Sequence, residues 1–122
     1  MSNTSQLPPS LQEKVTRLQQ LQNTLQQLVI QKQRVDLEMS ETERALKTLE
    51  SVSGDSKVYR SAGAILVEKK KGDVEKELTE RREFLEMRAK VLEKQESKTR
   101  ERLTGLQEGI QKEINQLGLR SP

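Results

Sequence analysis

The chain has 122 residues, 31% of them apolar and 34% charged, with one Phe, one Tyr, no Trp, no Cys and no His, and a formal net charge of +3. That length suits one domain, but the apolar bulk is too small for an ordinary compact core; the missing cysteines exclude disulfides and thiolate chemistry, and a mild basic bias with both signs mixed does not mark a nucleic-acid binder. Glu, Lys, Arg, Gln and Leu dominate, which suggests long helices or a coiled coil if the leucines are periodic and disorder if they are not.

They are periodic. With Leu11 as position a of a heptad, positions a and d fall on Leu11, Lys14, Leu18, Leu21, Leu25, Leu28, Lys32, Val35, Met39, Thr42, Leu46 and Leu49, nine of the twelve apolar, in the 3-4 alternation of a coiled-coil seam. Leu7 extends the pattern one step back. Pro8 and Pro9 suit the approach to a helix or its first turn. Ser10 and Glu13 have the spacing of a capping box, each side chain able to satisfy a backbone N–H near the helix start. The first helix is expected over about residues 10–50, roughly 60 Å long at 1.5 Å per residue, and Ser51, Ser53 and Gly54 end it.

The middle of the chain changes character. In "VYRSAGAILVEKK", residues 58–70, Val58 and Tyr59 favour strand, Ala62-Gly63 is a turn candidate, and Ala64 to Glu68 forms a return strand. A β-hairpin is expected over residues 56–69. Ile65 and Val67 then point to one face, Ala64 and Leu66 to the other. One hairpin is marginal in water and cannot cover two apolar faces or its own edges, so hairpins from several chains are expected to assemble into a larger sheet or barrel. Lys69, Lys70 and Lys71 beside the strand read as gatekeepers against edge aggregation.

A second arm is expected over about residues 73–117, with Asp73 as N-cap and Gly118 as stop. Its seam reads Leu78, Arg82, Leu85, Ala89, Leu92, Glu96, Thr99, Leu103, Leu106, Ile110, Glu113 and Leu117, eight of twelve apolar. Pairs such as Glu77/Arg81, Glu86/Lys90, Glu96/Arg100 and Glu108/Lys112 have the favourable i,i+4 orientation. A short connection favours antiparallel packing of the arms, and the polar seam positions help set register. Gly105 and Gly109 form a G-x-x-x-G that loosens this arm. Phe84, Met87 and Val91 lie outside the seam at i,i+3,i+7 spacing, an apolar stripe that suggests a contact between subunits.

Near both chain ends the apolar stripe widens beyond a and d. Val15 joins Leu7 and Leu11 on the first arm, and Ile114 joins Ile110, Leu117 and Leu119 on the second. Antiparallel arms bring these residues to one end, and apolar surface of this kind marks interaction sites. Catalytic, metal and cofactor sites are not expected: with no His or Cys, and only Asp36, Asp55 and Asp73 as aspartates, no acid–base pair or metal cluster stands out. Gly54, Gly63 and Gly72 are too dispersed for a phosphate loop. No aromatic residue is interleaved with the basic group of Lys69–Lys71, Arg81 and Arg82, so nucleic acid is not an expected partner. No signal-peptide pattern and no membrane-length apolar run is present; a soluble, cytoplasmic protein is expected.

Helix, β-hairpin and helix in this order resemble the prefoldin family. "VYRSAGAILVEKKKGDVEKELTERREFLEMR" is similar to the hairpin and second-helix start of its archaeal β class, "LQQLQNTLQQLVIQKQRVDLEMSETERALKTLE" to the first helix, and "KVLEKQESKTRERLTGLQEGI" to the distal second helix. The resemblance spans about residues 8–117, and one hairpin per chain is the β-class pattern. It implies a mainly α fold, an antiparallel two-helix coiled coil whose single central β-hairpin joins an intersubunit β-barrel. It further implies a heterohexamer of two α-class and four β-class subunits that holds unfolded proteins without ATP and delivers them to a group II chaperonin. Val58, Tyr59, Ile65, Leu66, Val67, Phe84 and Met87 would then form the subunit interface, and Leu7, Leu11, Val15, Ile110, Ile114, Leu117 and Leu119 the client surface. The alternative is a structural coiled-coil oligomerisation scaffold without chaperone activity; a plain scaffold has no need of a β insert apolar on both faces.

Overall fold

The computed structural model of the chain describes residues 7–118. Helix α1 runs over Pro9–Glu50, strand β1 over Val58–Ala62, strand β2 over Ile65–Lys69 and helix α2 over Lys71–Gln116. From Ser10 to Glu50 there is neither Gly nor Pro, and the Leu, Gln, Glu, Lys and Arg that fill α1 are strong helix formers. Helix α2 runs unbroken through Gly105 and Gly109.

Both helices start earlier than the sequence signals suggest. The Pro8 carbonyl accepts from the amides of Leu11 and Gln12, both at 3.0 Å, so the cap is Pro8 and Pro9 takes the first helical position, where a fixed φ and a missing N–H cost nothing. Ser10 is therefore already inside the first turn. Its hydroxyl donates to Glu113 at 2.6 Å and Glu13 turns to Arg17 at 3.9 Å, so the expected capping box is replaced by these contacts. In α2 the Lys70 carbonyl accepts from Asp73 and Val74, both at 3.1 Å. The cap is Lys70 rather than Asp73, and Asp73 sits in the first turn, where its charge still faces the positive end of the helix dipole.

The strands pair antiparallel in the register Val58↔Lys69, Tyr59↔Glu68, Arg60↔Val67, Ser61↔Leu66 and Ala62↔Ile65. The loop is thus Gly63-Ala64, one residue later than the expected Ala62-Gly63. Gly63 has φ 62° and among the described residues no non-glycine has positive φ, the type II′ pattern, in which glycine takes the first loop position and matches the twist of the strands.

The described chain forms two compact units, one from the residues up to Gln31 with those from Leu92 onward, the other Lys32–Val91. In the first, the terminal unit, Leu11, Leu28, Leu92, Thr99 and Leu103 are buried. In the second, the hairpin unit, Thr42, Leu49, Leu85 and Ala89 are buried. Every expected seam position is buried or half-buried except Leu117. The two buried threonines keep their hydroxyls satisfied within their own helix: Thr42 donates to the Glu38 carbonyl at 2.7 Å and Thr99 to the Gln95 carbonyl at 2.8 Å. Fully burying a leucine stabilises by about 1.5–3 kcal/mol, so these layers carry the packing that a 31% apolar chain can supply.

Candidate functional site

The hairpin is the most exposed apolar feature of the hairpin unit. The alternation of the strands puts Val58, Ala62, Ile65 and Val67 on one face and Tyr59 and Leu66 on the other. Neither face is covered: Ile65 is 63% exposed and Leu66 70%, with Tyr59 and Val67 exposed as well and Val58 half-buried. Two strands leave both outer edges without sheet partners, and unpaired edges are templates for pairing with further strands.

Two ion pairs tie the hairpin to α2. Glu77 on α2 receives Arg60 Nη1 from β1 on Oε2 at 2.6 Å and Lys69 Nζ from β2 on Oε1 at 3.3 Å. The pairing register places Arg60 and Lys69 on the same face of the hairpin, so one carboxylate ties both strands. At the base, Lys71 Nζ donates to the Val52 carbonyl at 2.6 Å. Beside the hairpin lies a hollow of about 430 Å³ lined by Ala45, Leu49, Val58, Tyr59, Val74 and Leu78 among others. Glu77 therefore pairs with the hairpin instead of with Arg81 of its own helix. Arg81 reaches across to Glu38 on α1 at 2.5 Å, and its guanidinium lies 5.6 Å from the Phe84 ring centroid, within cation–π range.

Phe84, Met87 and Val91 are exposed, as expected for a stripe outside the seam. Ile30 and Leu37 on α1 are exposed too, Leu37 at 61%. Counted from Leu11 both fall at position f, so the outward-facing positions of the first arm, scanned as those of the second were, would have found them.

At the chain ends the structure separates the grouped residues. Leu7, Val15, Ile110 and Ile114 are half-buried and Leu117 is exposed; Leu119 lies outside the described residues. Leu11, at 1% exposure, is no part of an open surface: as a seam residue in the first turns of α1 it is enclosed between the helices. From the same turns of α1, Ser10 Oγ donates to Glu113 at 2.6 Å and Lys14 Nζ at 2.7 Å. The Lys14 bond first and the Ser10 bond second hold the Glu113 carboxyl below its ordinary value of 4.5. Sequence spacing placed Lys14 and Glu113 in the seam but could not pair them, because their partnership depends on how the two arms are aligned.

Among the described residues no three His, Cys, Asp or Glu side chains converge as a metal site, and no buried side-chain polar atom lacks a partner. No helix there is long and apolar enough to cross a membrane. The surfaces offer apolar contact and free strand edges.

A family model described as "Prefoldin subunit" matches residues 12–117. The chain is 45% identical over 106 residues to a prefoldin subunit beta from Archaeoglobus fulgidus, covering 87% of this chain and 91% of the relative. It is 42% identical over 113 residues to a prefoldin subunit beta from Pyrobaculum neutrophilum, covering 93% and 90%. It superposes on the crystal structure of the prefoldin beta subunit from Thermococcus strain KS-1 with a TM-score of 0.79 at 39% identity, covering 94% of this chain and 96% of that one. The beta2 subunit of the same strain matches with a TM-score of 0.66 at 27% identity, over 75% and 97%.

Proposed function

The chain belongs to the prefoldin subunit family, and on that premise we propose that it is a β-class subunit of a cytoplasmic heterohexamer, two α-class and four β-class chains, that holds unfolded proteins without ATP and passes them to a group II chaperonin. A chaperone-type subunit role follows from the family. The observation that carries it is the hairpin, apolar on both faces, with Ile65 and Leu66 more than 60% exposed. A sheet exposed in this way is stable when neighbouring hairpins cover its faces and pair its edges. Val58, Tyr59, Ile65, Leu66 and Val67 then form the barrel contact, with Phe84 and Met87 as an outer contact between subunits. The client surface is assigned to Leu7, Val15, Ile110, Ile114, Leu117 and Leu119, with Leu11 joining when the ends of the helices part. Weak contacts repeated over several subunits suit a holder, since avidity retains the client while each contact still releases.

The test is co-expression with an α-class subunit and measurement of the mass of the complex. Replacing Ile65 and Val67 together by Asp is expected to leave helix content unchanged and to abolish the hexamer; a double variant that still forms full-sized particles sinks the barrel reading. Replacing Val15, Ile114 and Leu117 by Ser is expected to leave the hexamer intact and to lose most protection of a denatured client. A hexamer that assembles but protects nothing even as wild type would be the scaffold.

A further inference from the structure

The closure of the chain ends has a built form. Ser10 and Lys14 lie one turn apart on α1, and both reach the single carboxylate of Glu113 on α2, one to each oxygen. Glu113 is only 18% exposed, Lys14 38%. Lys14 and Glu113 both occupy seam positions, so a polar bridge stands in the seam, where a coiled coil ordinarily places apolar side chains. The neighbouring seam residue Leu11 is 1% exposed. We infer that Ser10, Lys14 and Glu113 form a polar latch that adds only a weak tie to the closure of the two helix ends beside Leu11. The inference rests on the client reading above and deepens it: the surface that takes an unfolded, apolar chain is partly stored inside the closed end.

The choice of residues sets the strength of the closure. A partly exposed ion pair shifts an equilibrium by only about two- to five-fold, and among the described residues the bridge is the cross-helix tie nearest the helix ends. An apolar pair at the same two positions would hold the helices much more firmly, since replacing both members of a bridged pair by hydrophobic residues commonly stabilises whereas removing one member destabilises. A client that binds only the open form pays for opening through its apparent affinity, which scales with the open fraction. A weak latch therefore keeps Leu11 and its neighbours from associating with one another in the absence of client while costing little when client is present.

The experiment uses the full-length chain assembled with an α-class subunit, with amide hydrogen exchange at residues 10–16 and 108–116 as the readout of closure. Binding of a reduced, carboxymethylated protein, which cannot refold, reports on the surface. Glu113→Gln is expected to speed exchange in both segments by roughly two- to five-fold and to tighten binding of the unfolded probe by a similar factor. The pair Lys14→Leu with Glu113→Leu is expected to do the reverse: slower exchange and weaker binding, although it adds two leucines to this end. A permanently open apolar patch predicts tighter binding for that double variant, so tighter binding, or unchanged exchange in Glu113→Gln, overturns the latch. Exchange that changes as expected while probe affinity stays constant in both variants upholds the latch and removes this end as the client surface.

Discussion

Residues 32–91 expose Leu37, Tyr59, Ile65, Leu66, Val67, Phe84, Met87 and Val91, whereas the large exposed apolar residues described in the terminal unit are Ile30 and Leu117. Both units use a carboxylate with two partners. Glu77 takes Arg60 and Lys69 and fastens a hairpin whose apolar faces stay open; Glu113 takes Ser10 and Lys14 and fastens two helix ends beside a leucine that is enclosed. The same interaction serves a surface on permanent display in one unit and a surface kept closed in the other. On the function proposed above, the displayed surface is the one that a neighbouring subunit covers. A surface for transient partners risks associating with itself, and a weak closure limits that risk.

The strongest way to test this contrast is to remove seam packing from each unit. Leu85 in the hairpin unit and Leu92 in the terminal unit are both essentially unexposed. Leu→Ala at either is expected to destabilise by about 2–5 kcal/mol, toward the lower end because coiled-coil layers can relax. Thermal melts of the two variants check it; near-wild-type melting of both would put the packing elsewhere.

A smaller effect separates fastening from packing. Glu77→Gln leaves every apolar contact in place but removes the charge that Arg60 and Lys69 share. With Glu77 41% and Arg60 58% exposed, the loss of fold stability is expected to stay below about 1 kcal/mol. Hexamer assembly is expected to weaken measurably, because a less restrained hairpin must be ordered on association. Native mass measurement across a dilution series reads this out, and a charge swap, Arg60→Glu with Glu77→Arg, is expected to recover part of the loss. Assembly indifferent to Glu77→Gln would mean that the hairpin is oriented by its neighbours alone.

Of similar size and opposite sign, Thr42→Val and Thr99→Val are each expected to stabilise by about 0.5–1 kcal/mol. Each hydroxyl is buried and bonds only back to its own helix, a contact that contributes little and bends helices slightly, while a methyl group in the seam gains burial. Thermal unfolding of the two single variants checks the sign.

The smallest effect is confined to the terminal unit. Because the folded-state pKa of Glu113 is depressed, its contribution is fully present above the ordinary value of 4.5 and is lost as pH falls through the lowered folded value. Corrected for the intrinsic amide rate, which itself falls in acid, protection at residues 10–16 and 108–116 is therefore expected to drop selectively as pH falls below 4.5, and Glu113→Gln is expected to abolish that selectivity. A loss of protection of equal size in Glu113→Gln would assign the effect to other carboxylates.

The residues of the seam were legible without a structure. Heptad spacing named Leu11 through Leu49 and Leu78 through Leu117, and every one of those positions except the exposed Leu117 is buried or half-buried, because an α-helix maps a 3-4 spacing onto one face whatever lies beyond it. The hairpin was legible for the same reason: Gly63 and the β-branched residues around it are local signals. Local reading erred by one residue at the Gly63-Ala64 turn, because it put glycine second in the loop, whereas a type II′ turn takes glycine first. It also misplaced both helix starts, because the chain entering at Pro8 and at Lys70 supplies carbonyls that serve as caps without any capping side chain. What the sequence could not supply was partnership across long separations. Glu77 had a plausible helical partner in Arg81 and took two strand cations instead. Glu113 was a tolerated seam carboxylate until Ser10 and Lys14, about a hundred residues away, met it. Leu11 was expected at an open surface and is enclosed. Periodicity says which face of a helix is apolar; which charge meets which, and whether an apolar end is open or shut, depends on the alignment of the two arms, and that alignment is set by the packing of the whole chain.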